Sequence, residues 1–302
     1  MTTAAVYNDF KNQLKTIYED REAENIFDWV FENVTGFKKW QRRENQDKEL
    51  SKTDFEKLKN HLVELLEHKP VQYVLNEAWF YKRKFYVNEN VLIPRPETEE
   101  LVEWIIREAL SSLTPRASNP IPQLQIIDIG TGSGCISVSL KKELPGVNVT
   151  AIDVSEKALL VAKKNAVDFD AVIDFLQIDF LNENEWKILS LYDNIISNPP
   201  YIPINEKEVL AKNVTDFEPE VALFVENNDP SIFYKKIAEF AKSHLKENGN
   251  IYVEVHEEYA KEVGNIFENA GFKSKIKKDI YGKERMVRAI KSEAIPLQKR
   301  KW

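Results

Sequence analysis

The chain has 302 residues, 43% of them hydrophobic, and 42 Lys and Arg against 49 Asp and Glu give a formal net charge of −7. That length holds one large or two ordinary domains with enough apolar content for a packed core, and the acidic balance argues against a broad phosphate-binding surface. A single cysteine, Cys135, excludes an intrachain disulfide, and no apolar run reaches the roughly 20 residues of a transmembrane helix.

Residues 1–9 carry neither a basic stretch nor an apolar core, so no secretory signal is expected and the chain reads as cytoplasmic. Residues 1–75 predict a small bundle of three amphipathic helices. Val6, Phe10, Leu14, Ile17 and Tyr18 share one face. Ile26, Trp29, Val30 and Val34 form a second stripe closed by Gly36, and Phe55, Leu58, Leu62, Leu65 and Leu66 a third that stops near Pro70. The polar run from Gln41 to Asp47 reads as a solvated loop between helices.

Residues 76–95 alternate apolar and polar, with Trp79, Phe80, Tyr81, Phe85, Tyr86, Val87 and Val91, and predict a hairpin linking two domains. Pro94 and Pro96 fix the start of the next helix, which Thr98 is suited to cap. Its inward face is Leu101, Val102, Ile105, Ile106 and Leu110. Arg95, held between two prolines, is a candidate for positioning a cofactor or substrate. Residues 113–123 contain three prolines and read as a loop.

From residue 125 strands and helices alternate, with strands predicted at 125–129, 148–152, 173–178, 193–197, 249–255, 273–279 and 285–290. The pattern is that of an α/β protein with a mostly parallel, doubly wound, Rossmann-like sheet. The final two strands have no helix between them and suggest a closing antiparallel pair. The expected domain is 96–291, followed by a tail at 292–302.

Two motifs carry the chemistry. Strand 125–129 runs into Gly130-Thr131-Gly132-Ser133-Gly134, which holds three of the nine glycines. Glycine permits positive φ and close approach of a ligand to the backbone, and the next helix offers free N–H groups at its start. The following strand ends in Asp153, at the usual place for an acid that accepts from ribose hydroxyls, about 20 residues beyond a glycine turn. A nicotinamide fingerprint needs glycine at 135, where Cys135 stands as a small packing residue. With Asp128 ahead of it, the G-x-G-x-G pattern favours S-adenosylmethionine. The cofactor candidates are therefore Asp128, Gly130, Thr131, Gly132, Ser133, Gly134 and Asp153, with Asp179 and Phe180 at the next strand end for the adenine.

The second motif is Asn198-Pro199-Pro200-Tyr201, at the end of strand 193–197. Two prolines remove two donors and fix two φ angles, and the residue before each is held extended. The result is a rigid exit rich in acceptors beside an aromatic face, which suits a planar NH2 group. Asn198 Oδ1 and the Pro199 carbonyl can accept its two N–H bonds, Pro200 stiffens the turn, and Tyr201 can pack on the flat amide. Asn198, Pro199 and Tyr201 are the catalytic candidates, and Asn198 also borders the expected cofactor site. All of these residues fall at carboxyl ends of strands, where open α/β sheets bind ligands. The four histidines show no triad or ligand spacing, so histidine acid–base chemistry is not expected.

With both motifs in place the chain resembles the class I S-adenosylmethionine-dependent methyltransferases. More narrowly it resembles the PrmC/HemK family of release factor glutamine N5-methyltransferases. The narrower likeness rests on Leu92-Ile93-Pro94-Arg95-Pro96-Glu97-Thr98-Glu99, the helix from Asp153 to Ala166, Phe217-Glu218-Pro219 with Ala222-Leu223, and the segment from Asp279 to Arg285. It implies methyl transfer to the N5 amide nitrogen of the Gly-Gly-Gln glutamine of peptide chain release factors, docked by the helical domain. It also implies S-adenosylhomocysteine as product, no metal, and an antiparallel last strand. One departure is Leu75-Asn76 where the family usually has glycine. The alternative is a DNA or RNA exocyclic-amine methyltransferase, since Asn-Pro-Pro-Tyr also serves those enzymes. The acidic charge balance speaks against it.

Overall fold

The structure, a computed structural model, describes residues 1–111, 123–226 and 228–291. The loop expected at 113–123 (Gln123 apart) and the tail expected at 292–302 lie outside the described residues. The chain divides into two compact units. The first comprises Met1–Glu77, Val87–Glu89 and Leu210–Glu218, and the second Ala78–Tyr86, Asn90–Val209 and Pro219–Trp302.

In the first unit, α1 (Thr3–Leu14) begins where the Thr2 side chain accepts the Ala5 N–H. α2 (Asp20–Thr35) stops at Gly36, whose φ of 74° ends the helical hydrogen bonding. α3 (Lys39–Glu44) is short, α4 (Lys52–Leu66) is capped by Ser51, and α5 (Val71–Leu75) follows Pro70. The apolar stripes meet in a core around Phe10, Phe27, Phe31, Leu58 and Leu65. Burying each such side chain contributes about 1.5–3 kcal/mol.

Two features of this unit differ from the polar pattern of the sequence. The Gln41–Asp47 run was expected to be a solvated loop, but α3 occupies its first half and Arg42 is only 6% exposed. Its guanidinium donates twice to Asp28 Oδ1, at 3.0 and 2.7 Å, and lies 4.0 Å from the Tyr7 ring centre. A paired, stacked arginine buries where a lone charge does not. Asn76, where the resemblance leads to the expectation of glycine, takes φ 53°. Its N–H donates to Gln72 O and its Nδ2 to Val87 O, at 3.1 Å. Asparagine tolerates the left-handed region better than most residues, so it can hold this turn.

The second unit opens at Ala78 within the hairpin strand β1 (Glu77–Phe80), followed by β2 (Arg83–Tyr86) and α6 (Pro96–Ser111). The alternating part follows as β3 (Gln125–Ile129), α7 (Cys135–Glu143), β4 (Asn148–Asp153), α8 (Glu156–Asp168), β5 (Asp174–Gln177) and β6 (Tyr192–Ser197). After β7 (Ile202–Pro203) the chain passes through α9 (Lys212–Thr215), which belongs to the first unit, and returns through α10 (Glu220–Leu223) and β8 (Phe224–Val225). It ends with α11 (Ile232–His244), β9 (Leu245–Glu254), α12 (Ala260–Asn269), β10 (Phe272–Lys278) and β11 (Glu284–Lys291).

All seven predicted strands form one sheet in the order β10-β11-β9-β6-β3-β4-β5. Pairings among β9, β6, β3, β4 and β5 are parallel, and β11 runs antiparallel to both β9 and β10. The last strand is thus inserted between two earlier ones. Ile127, Ile129, Ile195 and Val253 pack on one face with Phe240 and Phe267. Ile126, Ile196 and Tyr252 pack on the other with Leu101, Val102 and Val138. Cover on both faces is why these strands read as continuous apolar runs. On α6 the inward stripe continues through Ala109, while Leu110 is 47% exposed. The reason is the helical period, which places Ala109, not Leu110, in line with Val102 and Ile105.

Candidate active site

β3, β4, β5 and β6 are adjacent, with Ile129 beside both Ile152 and Ser197, and Asp153 beside Gln177. The loops leaving their carboxyl ends therefore face one another. Between them lies a cavity of about 240 Å³. Gly130, Gly132, Asp153, Asp179 and Phe180 line it. So do Asn198, Pro199 and Pro200. The wall is completed by Asn90, Val91 and Leu92 and by Pro219, Val221 and Ala222.

The glycine loop is built from positive φ angles: 73° at Gly130, 54° at Gly132 and 77° at Gly134. A Cβ at Gly130 or Gly132 would meet no protein atom within 4 Å. One at Gly134 would stand 3.1 Å from Ala162 Cβ. The first two glycines leave room on the cavity side, and the third lets α7 approach α8. The N–H groups of Gly130 and Thr131 both donate to Ile152 O at 2.9 Å, which ties the loop to β4.

Asp153 serves the loop as well as the cavity. Its Oδ2 accepts the Gly132 N–H and its Oδ1 the Ser155 N–H, each at 2.9 Å. Burial raises its pKa, and these backbone donors oppose the rise. Asp128 is fully buried behind the loop, where its Oδ2 accepts from Thr131 Oγ1 and Ser137 Oγ at 2.7 Å. Burial pushes Asp128 up to about 6 against those two hydrogen bonds. Thr131 and Ser133 are buried too, so Asp128, Thr131, Ser133 and Gly134 support the loop without lining the cavity.

At the end of β5, Phe180 is 5% exposed, and its ring packs 5.3 Å from Trp186 and 5.4 Å from Phe240. Asp179 is exposed, and its Oδ1 accepts the Leu181 N–H.

Beyond β6, Ser197 Oγ donates to Ile129 O at 2.8 Å and locks the two strand ends together. Asn198 Nδ2 donates to Thr98 Oγ1 at 3.2 Å, and Thr98 Oγ1 donates to Glu254 Oε2 at 2.6 Å. Thr98 is not a cap. α6 begins at Pro96, so Thr98 lies inside the first turn and its hydroxyl bonds across to Glu254. Burial pushes Glu254 up to about 7, with Glu97 adding to the rise while Thr98, Arg285 and Arg95 oppose it. Tyr201 packs on His256, ring centres 5.9 Å apart, and does not line the cavity. Burial pushes its hydroxyl to about 12, so it stays neutral.

Two polar residues with structural consequences escaped the sequence reading. Glu254 closes the apolar run Ile251-Tyr252-Val253, and a charge at the end of a buried strand was the available signal. Asn165, 1% exposed, sits on the apolar face of α8. Its Nδ2 donates to Ser133 O at 2.8 Å and Tyr86 O at 2.9 Å, and its Oδ1 accepts the Tyr86 N–H at 2.7 Å. It clamps the hairpin to the glycine loop. Asn165→Ala strands these buried backbone groups and is expected to cost roughly 2–3 kcal/mol. A urea midpoint that falls at unchanged slope checks this.

The profile of the methyltransferase small domain family matches residues 109–216, and that of the PrmC N-terminal domain matches residues 5–75. A release factor glutamine methyltransferase of Flavobacterium psychrophilum is 43% identical over 280 residues, covering 92% of this chain and 95% of its own. One of Bacteroides thetaiotaomicron is 37% identical over 280 residues, covering 92% and 96%. A solved methyltransferase from Pyrococcus furiosus is similar in fold alone, with a TM-score of 0.50 and 17% identity over 78% of this chain and 99% of its own. Fold, site motifs and near-full-length likeness agree: the chain belongs to the release factor glutamine methyltransferase family.

Proposed function

We propose that this enzyme transfers a methyl group from S-adenosylmethionine to the N5 side-chain amide nitrogen of the Gly-Gly-Gln glutamine of peptide chain release factors. The observation that carries this reading is one shared cavity. Asn198 and Pro199 line it together with Gly130, Gly132 and Asp153. The chain's residues suit the cofactor: open space stands over Gly130 and Gly132, a carboxylate ends β4, and apolar Ile178 and Phe180 border the same cavity. When bound, the cofactor supplies an activated methyl on a sulfonium, so no covalent enzyme intermediate is required.

In this reading Asp153 accepts from the ribose hydroxyls, and Asp179 and Phe180 border the adenine. Asp128, Thr131, Ser133 and Gly134 keep the loop in shape. Asn198 Oδ1 and the Pro199 carbonyl accept the two N–H bonds of the target amide. An amide nitrogen is a poor nucleophile because its lone pair is delocalised. It gains positive charge as the methyl arrives, and fixed acceptors stabilise that charge. Pro199 and Pro200 carry no N–H to compete for those acceptors. Tyr201 buttresses the turn as a neutral aromatic. Alignment of nitrogen, methyl and sulfur contributes about 7–11 kcal/mol in favourable cases. The displaced amide proton passes to solvent, and S-adenosylhomocysteine leaves.

The helical unit is assigned to docking the release factor. No helix among the described residues is long and apolar enough to cross a membrane. A substrate from translation gives the enzyme a cytoplasmic place of work. The test is transfer of labelled methyl to purified release factor, to its Gln→Ala loop variant, and to DNA. Label on the wild-type factor alone supports the reading, and label on DNA but not on the factor sinks it.

A further inference from the structure

The end groups of an asparagine side chain are nearly equal in shape and opposite in hydrogen bonding. An amide turned the wrong way presents two donors to a substrate NH2 group and repels it. A site that relies on Asn198 Oδ1 therefore needs something to set which end faces the cavity.

Thr98 and Glu254 supply that constraint. Both are buried, at 2% and 3% exposure. An ionised carboxylate only accepts, so the 2.6 Å contact with Glu254 Oε2 consumes the single Thr98 proton. The Thr98 oxygen then has only lone pairs left to offer Asn198. Of the two ends of that side chain, Nδ2 alone can donate, and it lies 3.2 Å away. The Glu254 backbone is itself held, since its carbonyl accepts from Tyr234 Oη at 3.1 Å within the core. The arrangement also accounts for an amide rather than an acid at 198. Aspartate there would leave one Thr98 proton between two acceptors.

We propose that Thr98 and Glu254 are positioning residues that fix the polarity of the Asn198 amide, so that Oδ1 and not Nδ2 meets the target nitrogen. The proposal rests on the methyl-transfer reading above. It assigns neither residue a contact with substrate or cofactor.

The test compares wild type, Thr98→Val, Thr98→Ser and the double variant Thr98→Val with Glu254→Met, assayed at pH 8 on release factor. Thr98→Val keeps the shape and removes the hydroxyl, and kcat is expected to fall by at least about tenfold. KM for the factor and cofactor affinity by calorimetry should stay within about threefold, since the lost interaction acts in the transition state. Thr98→Ser restores most of the loss. The double variant removes the carboxylate that Thr98→Val leaves unpaired, so its melting temperature recovers while kcat stays low. Wild-type kcat in Thr98→Val, or recovery of kcat together with stability in the double variant, overturns the proposal. A wild-type enzyme that labels no release factor removes the parent reading and the relay with it. An active wild type beside an equally active Thr98→Val removes the relay alone.

Discussion

Asn198→Ala is expected to lower kcat for release factor methylation by about 10²–10³ while cofactor affinity stays within about tenfold. The size follows from what the side chain offers. Asn198 leaves the end of β6 on a turn whose next two residues are prolines, so its position is set by backbone that cannot relax. Its Nδ2 is committed to Thr98, which leaves Oδ1 for an N–H in the cavity. A hydrogen bond to a nitrogen that becomes positive strengthens along the reaction, so its loss appears mainly in kcat. Alanine also leaves the Thr98 oxygen without its donor, a stability cost of about 1–3 kcal/mol that is independent of catalysis. Single-turnover transfer and calorimetric cofactor binding separate the two effects. A loss of cofactor affinity as large as the loss of rate shows that Asn198 serves the cofactor instead.

The central strands were legible because Ile126, Ile127, Ile195 and Ile196 make β3 and β6 apolar on both faces, and β3, β4 and β6 run into Gly130, Asp153 and Asn198. Each predicted strand has its counterpart within a few residues. The place of β11 was not legible, because periodicity reports which residues are buried and not which strand lies alongside. A reversed strand joined to β10 by a short turn can pair on either side, and it pairs with β9 as well. Of the short-motif residues, Gly130, Gly132, Asp153, Asn198 and Pro199 line the cavity and Asp128, Thr131, Ser133, Gly134 and Tyr201 do not, while the contacts joined over long separations had no local signal. Asn198 and Thr98 are 100 positions apart, and Thr98 and Glu254 are 156. No local pattern encodes such a chain. Arg42 escaped for a related reason: its burial depends on Asp28 and Tyr7, which lie on other helices.

Stability should fall as pH rises from about 5 to 8, and Glu254→Gln should remove part of that fall. The sign follows from two buried acids. Asp128 stands at about 6 against an ordinary 3.8, and Glu254 at about 7 against 4.5. Both values are raised, mainly by burial, so the folded state keeps protons that the unfolded chain has released. Their contribution is complete below the unfolded values and is lost as pH climbs through the folded ones. At about 1.4 kcal/mol per pH unit of displacement, the two together amount to roughly 6 kcal/mol between about pH 3.5 and 8, of which about 4 kcal/mol is lost between pH 5 and 8. Glu24 has the opposite sign, held at about 2 chiefly by Lys39, but its effect falls below pH 4.5, outside this window, while His61, lowered from its usual 6.5 mainly by burial, offsets part of the fall inside it. Urea unfolding of wild type and Glu254→Gln at several pH values isolates the glutamate. The two should be close at pH 5, and the variant should be more stable by about 3 kcal/mol at pH 8. A difference that stays constant across that range refutes the assignment. A neutral glutamine can donate as well as accept, so the stabilised variant no longer dictates which way the Thr98 proton points. The carboxylate at 254 lowers stability at working pH and in exchange gives the Asn198 amide a single orientation, the kind of compromise that sites built for function make against folding.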